Sequence, residues 1–241
     1  NRSYFMSSKA PIILAVDTSD LELAKAWIGH TSEYVEVFKL GLEFFLNFGA
    51  QGVRAITENS DAKIFLDLKL HDIPNTVAHA TASAALLKPF FLTVHASGGH
   101  EMIKAAVQAA AQTKITAVTI LTSLSEDDVK AVGFAQNALN SATALAQLAV
   151  AAGAAAIVCS PLETANIRSA VGSKVIIITP GVRPLAMAGK DDQIRTMTPS
   201  QAIAAGANFV VIGRPITSAW EPTGVEIGKR AREISTEILN S

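Results

Sequence analysis

Short apolar runs alternate with longer amphipathic or alanine-rich stretches from one end of the chain to the other. Runs of four to eight apolar residues are typical of buried parallel strands, and the stretches between them have helical spacing. Eight strands are predicted, over 12–17, 35–41, 64–70, 91–95, 115–121, 155–159, 175–179 and 209–213. The clearest helices between them are predicted over 19–29, 76–87, 101–112 and 141–152.

About eight strand–helix units in 241 residues are typical of a (β/α)8 TIM barrel, an α/β fold. An open, doubly wound parallel sheet is the alternative that the same alternation allows. No linker or change of composition divides the chain, so residues 11–241 are predicted to form a single TIM-barrel domain. Residues 1–10 are expected to be a disordered or vector-derived leader, with Met6 as the natural start.

The bulk composition excludes several classes of protein. A formal net charge of -1 gives no basis for binding nucleic acid or an anionic membrane. No apolar stretch reaches the roughly 18 residues that a membrane-spanning helix needs. The single cysteine, Cys159, excludes an intrachain disulfide and is predicted to be buried and inert inside its apolar run. These features predict a cytoplasmic protein.

Polar residues, or a proline or glycine, interrupt the apolar pattern at one place in nearly every unit, at or just after the carboxyl end of the strand. They are Asp17, Lys39, Asp67, Lys69, His95, Ser123, Pro180, Gly181, Gly213 and Arg214. Active sites of (β/α)8 barrels form at this end, from residues of several strands. Because barrel interiors are filled by branched apolar side chains, charges gathered at one end predict an active site there.

The densest group of charges lies in the stretch 65–72, Phe-Leu-Asp-Leu-Lys-Leu-His-Asp. Alternate side chains of a strand share one face, so Asp67 and Lys69 are predicted to point the same way. A buried lone charge is costly, so these two groups are expected to pair or to serve chemistry. Asp72 follows within one turn, which completes an alternating array of the form Asp-x-Lys-x-x-Asp. Taken alone, the array could also be a structural salt-bridge cluster.

The chain resembles the orotidine 5'-phosphate decarboxylase family over nearly its whole length after the first ten residues. The motifs that carry the resemblance are 14–17 (LAVD), 38–41 (FKLG), 65–77 (FLDLKLHDIPNTV), 94–96 (VHA), 121–123 (LTS), 179–184 (TPGVRP), 192–195 (DQIR) and 211–216 (VIGRPI). The longer motif Asp-x-Lys-x-x-Asp-Ile-Pro-Asn-Thr is specific to this family. The shorter Asp-x-Lys-x-x-Asp is shared with sugar-phosphate decarboxylases and aldolase-like synthases.

The resemblance implies decarboxylation of orotidine 5'-monophosphate to uridine 5'-monophosphate and carbon dioxide, the last step of de novo pyrimidine synthesis, without a metal or other cofactor. It implies that Lys69 protonates C6, that Asp67 lies near the substrate carboxylate, and that Lys39 orients Asp67. In this family Asp72 and Thr76 reach into the site of the other subunit. A homodimer with shared active sites is therefore expected.

The resemblance also implies which groups hold the nucleotide. For the ribose it implies Asp17, Lys39 and the partner subunit's Thr76. For the pyrimidine it implies Ser123 and Pro180. For the phosphate it implies Gln193, Arg214 and the backbone N–H groups of Gly213 and Arg214, with Arg183 as a second candidate. The stretch 183–195 is expected to be a loop that closes over the phosphate and excludes water.

Two other functions remain open. One is a nucleotide- or sugar-phosphate-binding protein on the same barrel with degenerate chemistry, and the intact Asp67, Lys69 and Asp72 argue against it. The other is a metal-dependent sugar-phosphate lyase or synthase, which would need Mg²⁺ ligands near the array. Ser123 and the full Asp-Ile-Pro-Asn-Thr run favour the decarboxylase over this alternative. His95 is interpreted as a packing residue and is left out of the site.

Overall fold

A computed structural model of the chain describes residues 9–58, 60–184 and 197–241. Its strands are β1 (Ala10–Ala15), β2 (Val35–Gly41), β3 (Lys63–Leu70), β4 (Phe91–His95), β5 (Lys114–Val118), β6 (Ala156–Val158), β7 (Ile176–Thr179) and β8 (Phe209–Ile212). All pairings are parallel, the spatial order follows the chain, and β8 pairs with β1. This closure confirms the TIM barrel and excludes the open, doubly wound sheet.

Helices alternate with the strands in the described part of the chain. They are α1 (Leu21–Thr31), α2 (Leu42–Thr57), α3 (Pro74–Ala85), α4 (His100–Ala109), α5 (Glu126–Ala131), α6 (Ala138–Ala151), α7 (Thr164–Val171), α8 (Pro199–Ala204), α9 (Arg214–Thr217) and α10 (Val225–Leu239). The four predicted helices correspond to α1, α3, α4 and α6, with ends displaced by at most three residues. Among the described residues, no helix is both long and apolar enough to cross a membrane.

The first strand begins at Ala10, two residues before the predicted start at residue 12. Residues 1–8 of the predicted leader lie outside the described residues. The division of the chain into a leader and one domain over 11–241 therefore stays a prediction.

Local side-chain signals begin several of the helices. The Asp20 carboxylate accepts hydrogen bonds from the backbone N–H groups of Glu22 and Leu23, which caps α1. Ser125 and Asp128 form a reciprocal capping box at the start of α5. Such caps satisfy N–H groups that would otherwise lack a partner, and they end the loops that follow the strands.

Two apolar layers pack against the sheet. Ile13, Val37, Phe65, Phe91, Ala156 and Ile178 fill the barrel interior. The Phe65 and Phe91 rings meet edge to face, with centroids 5.6 Å apart. A larger layer, which includes Leu66, lies between the strands and the helices. Because strand side chains alternate, Lys39 and Asp67 lie two residues above the inward-facing Val37 and Phe65, so the interior core forms the floor beneath them.

Candidate active site

A cavity of about 210 Å³ opens at the carboxyl end of the barrel. Its lining consists of Lys39, Phe65, Asp67, Lys69, Val118, Ile120, Leu121, Thr122, Val158, Cys159, Pro180 and Val211. The described lining is mostly apolar, and the three charged side chains among these residues all come from β2 and β3. An apolar pocket with a few convergent polar groups is typical of a small-molecule site.

Four ionisable side chains form a continuous chain of alternating charge at this cavity. The Lys69 Nζ lies 2.9 Å from each carboxylate oxygen of Asp67. The Lys39 Nζ lies 3.7 Å from Asp67 Oδ2 and 3.1 Å from Asp17 Oδ1. The Asp67 side chain is only 12% exposed, so its charge is compensated by two ammonium groups rather than by water. The structure thus brings these four predicted residues together within one chain.

The end of β3 departs from a regular strand. Leu66 pairs with Leu92 and Leu70 with Val94, so β3 advances four residues while β4 advances two. Within this bulge Lys69 has a φ of 50°, in the left-handed region that side-chain-bearing residues seldom adopt. Asp67 and Lys69 do meet, as strand alternation predicts, but across an irregular segment. Bulges of this kind redirect side chains next to active sites.

Thr93 on β4 is a contact of this array that the sequence pattern does not predict. It is fully buried, its Oγ1 accepts a hydrogen bond from the Lys69 N–H at 2.8 Å, and it donates to Asp67 Oδ1 at 3.0 Å. The available signal was a threonine in an otherwise apolar strand, two residues beyond the inward-facing Phe91.

Gly41 at the end of β2 is a second residue to which the sequence analysis assigned no role. A Cβ at this position would lie 3.1 Å from Lys39 Nζ and 3.5 Å from Asp17 Oδ1. The absence of a side chain therefore leaves room for the ion pair between Lys39 and Asp17.

Asp72 and Thr76 do not join the array of their own chain. Both are exposed, at the turn before α3 and in its first turn. Asp72 Oδ1 accepts a hydrogen bond from the Ile73 N–H at 2.7 Å, and within the described residues Asp72 has no ion pair. Their side chains are thus available to a second molecule.

Four of the residues predicted to contact the pyrimidine or the phosphate lie around the same mouth. Pro180 lines the cavity, and the exposed Ser123 directly follows the lining residue Thr122. Gly213 and Arg214 follow β8, and the Arg214 side chain is exposed at the start of α9.

The segment after β7 carries the two remaining predicted phosphate contacts. Arg183 is half-buried, and its N–H donates to the Met197 carbonyl at 3.0 Å, which joins the two flanks of 185–196. Gln193 lies outside the described residues, as does most of the predicted closing loop 183–195.

His95 lies beside the array but outside the site that the sequence predicts. Its ring centroid is 5.4 Å from that of His71. Burial lowers the pKa of His95, the positive charges of His71 and Lys69 lower it further, and Asp67 partly opposes them. These surroundings therefore favour the neutral form of the imidazole.

Two buried titratable groups follow β6, which contributes to the apolar side of the cavity. Cys159 is buried, as the sequence predicts, and burial raises the pKa of its thiol to about 12. Glu163 is 7% exposed and accepts a hydrogen bond from the Ser160 N–H at 3.0 Å. Burial raises the pKa of Glu163 to about 7. Neither group has an ion pair within the described part of the chain.

The donor groups for a metal ion are sparse in the described residues. No cluster of three or more His, Cys, Asp or Glu side chains there could hold a metal ion. Metal-free chemistry stays a prediction, which an assay with a chelator can test.

The closed barrel and the ionisable array at its mouth define the class of the protein, a (β/α)8-barrel enzyme. A model of the orotidine 5'-phosphate decarboxylase / HUMPS family matches residues 10–225. The chain belongs to this family.

Individual relatives agree with the family model. The orotidine 5'-phosphate decarboxylase of Thermobifida fusca (strain YX) is 52% identical over 229 residues, which cover 95% of this chain and 96% of the relative. The orotidine 5'-phosphate decarboxylase of Frankia casuarinae is 42% identical over 247 residues, which cover 95% of this chain and 88% of the relative. The crystal structure of orotidine 5'-phosphate decarboxylase from Lactobacillus acidophilus superposes with a TM-score of 0.80 at 33% identity, covering 95% and 99% of the two chains.

Proposed function

We propose that this chain decarboxylates orotidine 5'-monophosphate to uridine 5'-monophosphate and carbon dioxide, without a metal or organic cofactor, as the last step of cytoplasmic pyrimidine synthesis. One observation carries the proposal. The Asp67 carboxylate is held between the ammonium groups of Lys69 and Lys39 at the edge of an apolar cavity. The names of the relatives support the choice of substrate.

The reaction requires charge stabilisation and a proton donor. When the bond between C6 and the carboxylate breaks, the electron pair stays in an sp² orbital of C6 that the π-system of the ring does not delocalise. Fixed charges that are in place before the reaction stabilise such a centre without reorganisation. In the proposal the Lys69 ammonium supplies this charge and transfers its proton to C6, and solvent then reprotonates the amine.

Asp67 has two roles in the proposal. Its two oxygens contact the Lys69 ammonium, and Oδ2 also faces Lys39, so the charges are in place before substrate binds. Its negative charge also lies beside the departing carboxylate, and the repulsion between the two is relieved as carbon dioxide leaves.

The other predicted contacts are proposed to bind the nucleotide. Asp17 and Lys39 hold the ribose, and Ser123 and Pro180 contact the pyrimidine. The phosphate lies against Arg214, the backbone N–H groups of Gly213 and Arg214, Gln193 and Arg183. The loops after β7 and β8, which carry these groups, are where phosphate sites of (β/α)8 barrels frequently form.

The working unit is proposed to be a homodimer with shared active sites. Asp72 and Thr76 are exposed, and Asp72 makes no ion pair with the described residues of its own chain, which leaves both available to the active site of a second copy. Large apolar side chains are exposed nearby, at the start of α2 and just before α3. They are Leu42, Leu46 and Ile73, at 50%, 81% and 65% exposure. Contact with a second copy would remove this apolar surface from water.

An ultraviolet assay in the presence of EDTA tests the proposed reaction. Loss of the orotate absorbance together with stoichiometric release of carbon dioxide is expected. Binding of orotidine 5'-monophosphate without turnover would contradict the proposal and indicate a binding protein. Turnover of a sugar phosphate that requires Mg²⁺ would instead support the lyase or synthase alternative.

Mixing two inactive variants tests the shared site. The Asp72→Ala and Lys69→Ala proteins are each expected to be inactive. Random pairing places both intact residues in one of the two sites of each heterodimer, so about a quarter of wild-type activity should return. A mixture that stays inactive, although heterodimers are shown to form, would mean that each site lies within one chain.

A further inference from the structure

We infer that Thr93 is a positioning residue of this site: its hydroxyl ties the bulged backbone at Lys69 to the carboxylate of Asp67. The inference rests on the proposed decarboxylation, since it assigns a part in that reaction to a side chain outside the cavity lining. It deepens the proposal by explaining what holds the proton donor in place.

The hydrogen bonds of Thr93 connect the two central members of the array. Its Oγ1 accepts from the Lys69 N–H at 2.8 Å and donates to Asp67 Oδ1 at 3.0 Å. A hydroxyl has one proton to donate, and here that proton is directed to the carboxylate. Because Thr93 is fully buried, no water competes for either bond.

The backbone of Lys69 needs such a partner. Thr93 lies on β4 between Leu92 and Val94, the residues that pair on either side of the β3 bulge. The hydrogen-bond ladder between β3 and β4 is irregular there, and the Lys69 N–H donates to the Thr93 side chain instead. A left-handed conformation at a lysine persists only where the surroundings fix it, and this bond supplies one such constraint.

The same hydroxyl sets the orientation of the Asp67 carboxylate. Oδ1 contacts Thr93 and Lys69, whereas Oδ2 contacts Lys69 and faces Lys39. Without the hydroxyl, Oδ1 loses a buried donor and the carboxylate can rotate away from this arrangement. An error of about 1 Å in the position of a catalytic group can cost about 100-fold in rate.

A valine at this position separates positioning from packing. Thr93→Val keeps the branched shape and removes the hydroxyl. We expect kcat to fall about 10- to 100-fold while KM changes less than about threefold, because Thr93 does not line the cavity. Thr93→Ser, which restores the hydroxyl, should return kcat to within about threefold of wild type.

The matched control is Thr116→Val. Thr116 is the partner of Thr93 in the β4–β5 register and is also fully buried, but its hydroxyl donates to the Lys114 carbonyl. We expect its kcat to stay within about threefold of wild type. Should Thr93→Val fail to fold, Thr93→Ala provides the second hydroxyl-free variant, with the same fall in kcat expected.

Three results would overturn the inference. They are equal losses of kcat in the Thr93 and Thr116 variants, failure of serine to restore kcat, and a crystal structure of Thr93→Val with the ion pair between Asp67 and Lys69 unchanged. A wild-type protein without decarboxylase activity is a different outcome that rejects the proposed function. The crystal structure of the variant would still test the positioning role in that case.

Discussion

The two halves of the barrel mouth contribute different kinds of side chain. Lys39, Asp67 and Lys69 lie on β2 and β3, and Asp17 follows β1. The described lining contributed by β5 to β8 and the loops after them carries no charge and is mostly aliphatic. In the proposed reaction Lys69 and Asp67 of the charged half act on C6 and its carboxylate, and Lys39 and Asp17 hold the ribose beside them, while the apolar half seats the ring. The difference shows how one end of a barrel can keep a charged array and a dry surface side by side.

The buried acids of the two halves show the same contrast. Asp67 lies between two ammonium groups, so its charge is compensated where it is buried. Glu163 has only the backbone N–H of Ser160 as a described partner, and burial raises the pKa of its carboxyl to about 7. The Asp67 carboxylate is therefore tolerated in the charged half because it is paired with two ammonium groups.

Removal of Lys69 should have the largest effect, because it takes the proton donor from the charged half. We expect Lys69→Ala to lower kcat at least about 1,000-fold with the fold retained. Steady-state kinetics and circular dichroism measure the two properties. Lys63→Ala, at the exposed opposite end of the same strand, is the control and should keep wild-type kcat. Residual activity of Lys69→Ala within tenfold of wild type would remove Lys69 as the proton donor.

Removal of the Arg214 side chain should weaken binding of the substrate phosphate, on the half of the mouth formed by β5 to β8. We expect Arg214→Ala to lower kcat/KM about 10- to 100-fold, mainly through a higher KM, because a charged hydrogen bond to phosphate is lost. The exposed Arg54 on α2 gives a matched control, since Arg54→Ala removes the same charge away from the mouth. Unchanged kinetics of Arg214→Ala would show that the phosphate binds elsewhere.

Glu163→Gln should change the pH dependence of stability rather than the chemistry. The folded protein binds the Glu163 proton more tightly than the unfolded chain, whose pKa is near 4.5. The free energy of unfolding therefore falls as the pH rises from about 4.5 to about 7. Glutamine keeps an acceptor for the Ser160 N–H and removes this loss of stability, which is on the order of 3 kcal/mol at pH 8.

Urea unfolding of both proteins at pH 5, 6, 7 and 8 measures the effect of Glu163. The stability of Glu163→Gln relative to wild type should rise across this range and level off above the pKa of Glu163. Parallel curves for the two proteins would mean that Glu163 titrates alike in both states and that its surroundings tolerate the charge.

Treatment of the Cys159 thiol with a labelling reagent should have the smallest effect of these experiments, with no loss of activity. It lines the cavity but is 1% exposed, and burial raises its pKa to about 12. Because the chain has one cysteine, labelling with a disulfide reagent reports this thiol alone. We expect labelling at least about 100-fold slower in the folded than in the unfolded protein, with activity retained. Fast labelling that also abolishes activity would contradict this expectation, because it would show that the apolar half of the mouth is open to the reagent.

The sequence predicts the barrel and the position of most charges because both depend on local rules. Apolar runs locate all eight strands, with ends displaced by at most three residues. Alternation along a strand then places Lys39 and Asp67 on the inner face, above Val37 and Phe65.

The details that depend on pairing between strands could not be predicted in this way. The bulge at Lys69 exists only relative to the register of β4. Thr93 is an ordinary strand residue by its local preference, and its two hydrogen bonds arise from that same register. Asp72 is exposed in one chain, so its predicted contact with a second copy cannot be read from the fold of a single chain.

Calorimetric titration of Lys69→Ala with orotidine 5'-monophosphate tests the division of labour between the two halves most directly. If Lys69 serves the chemistry and other groups bind the nucleotide, the variant should bind orotidine 5'-monophosphate within about tenfold of the affinity of wild type for uridine 5'-monophosphate, and release no carbon dioxide. Loss of binding together with turnover, in a folded variant, would contradict the account, because Lys69 would then serve to hold the substrate.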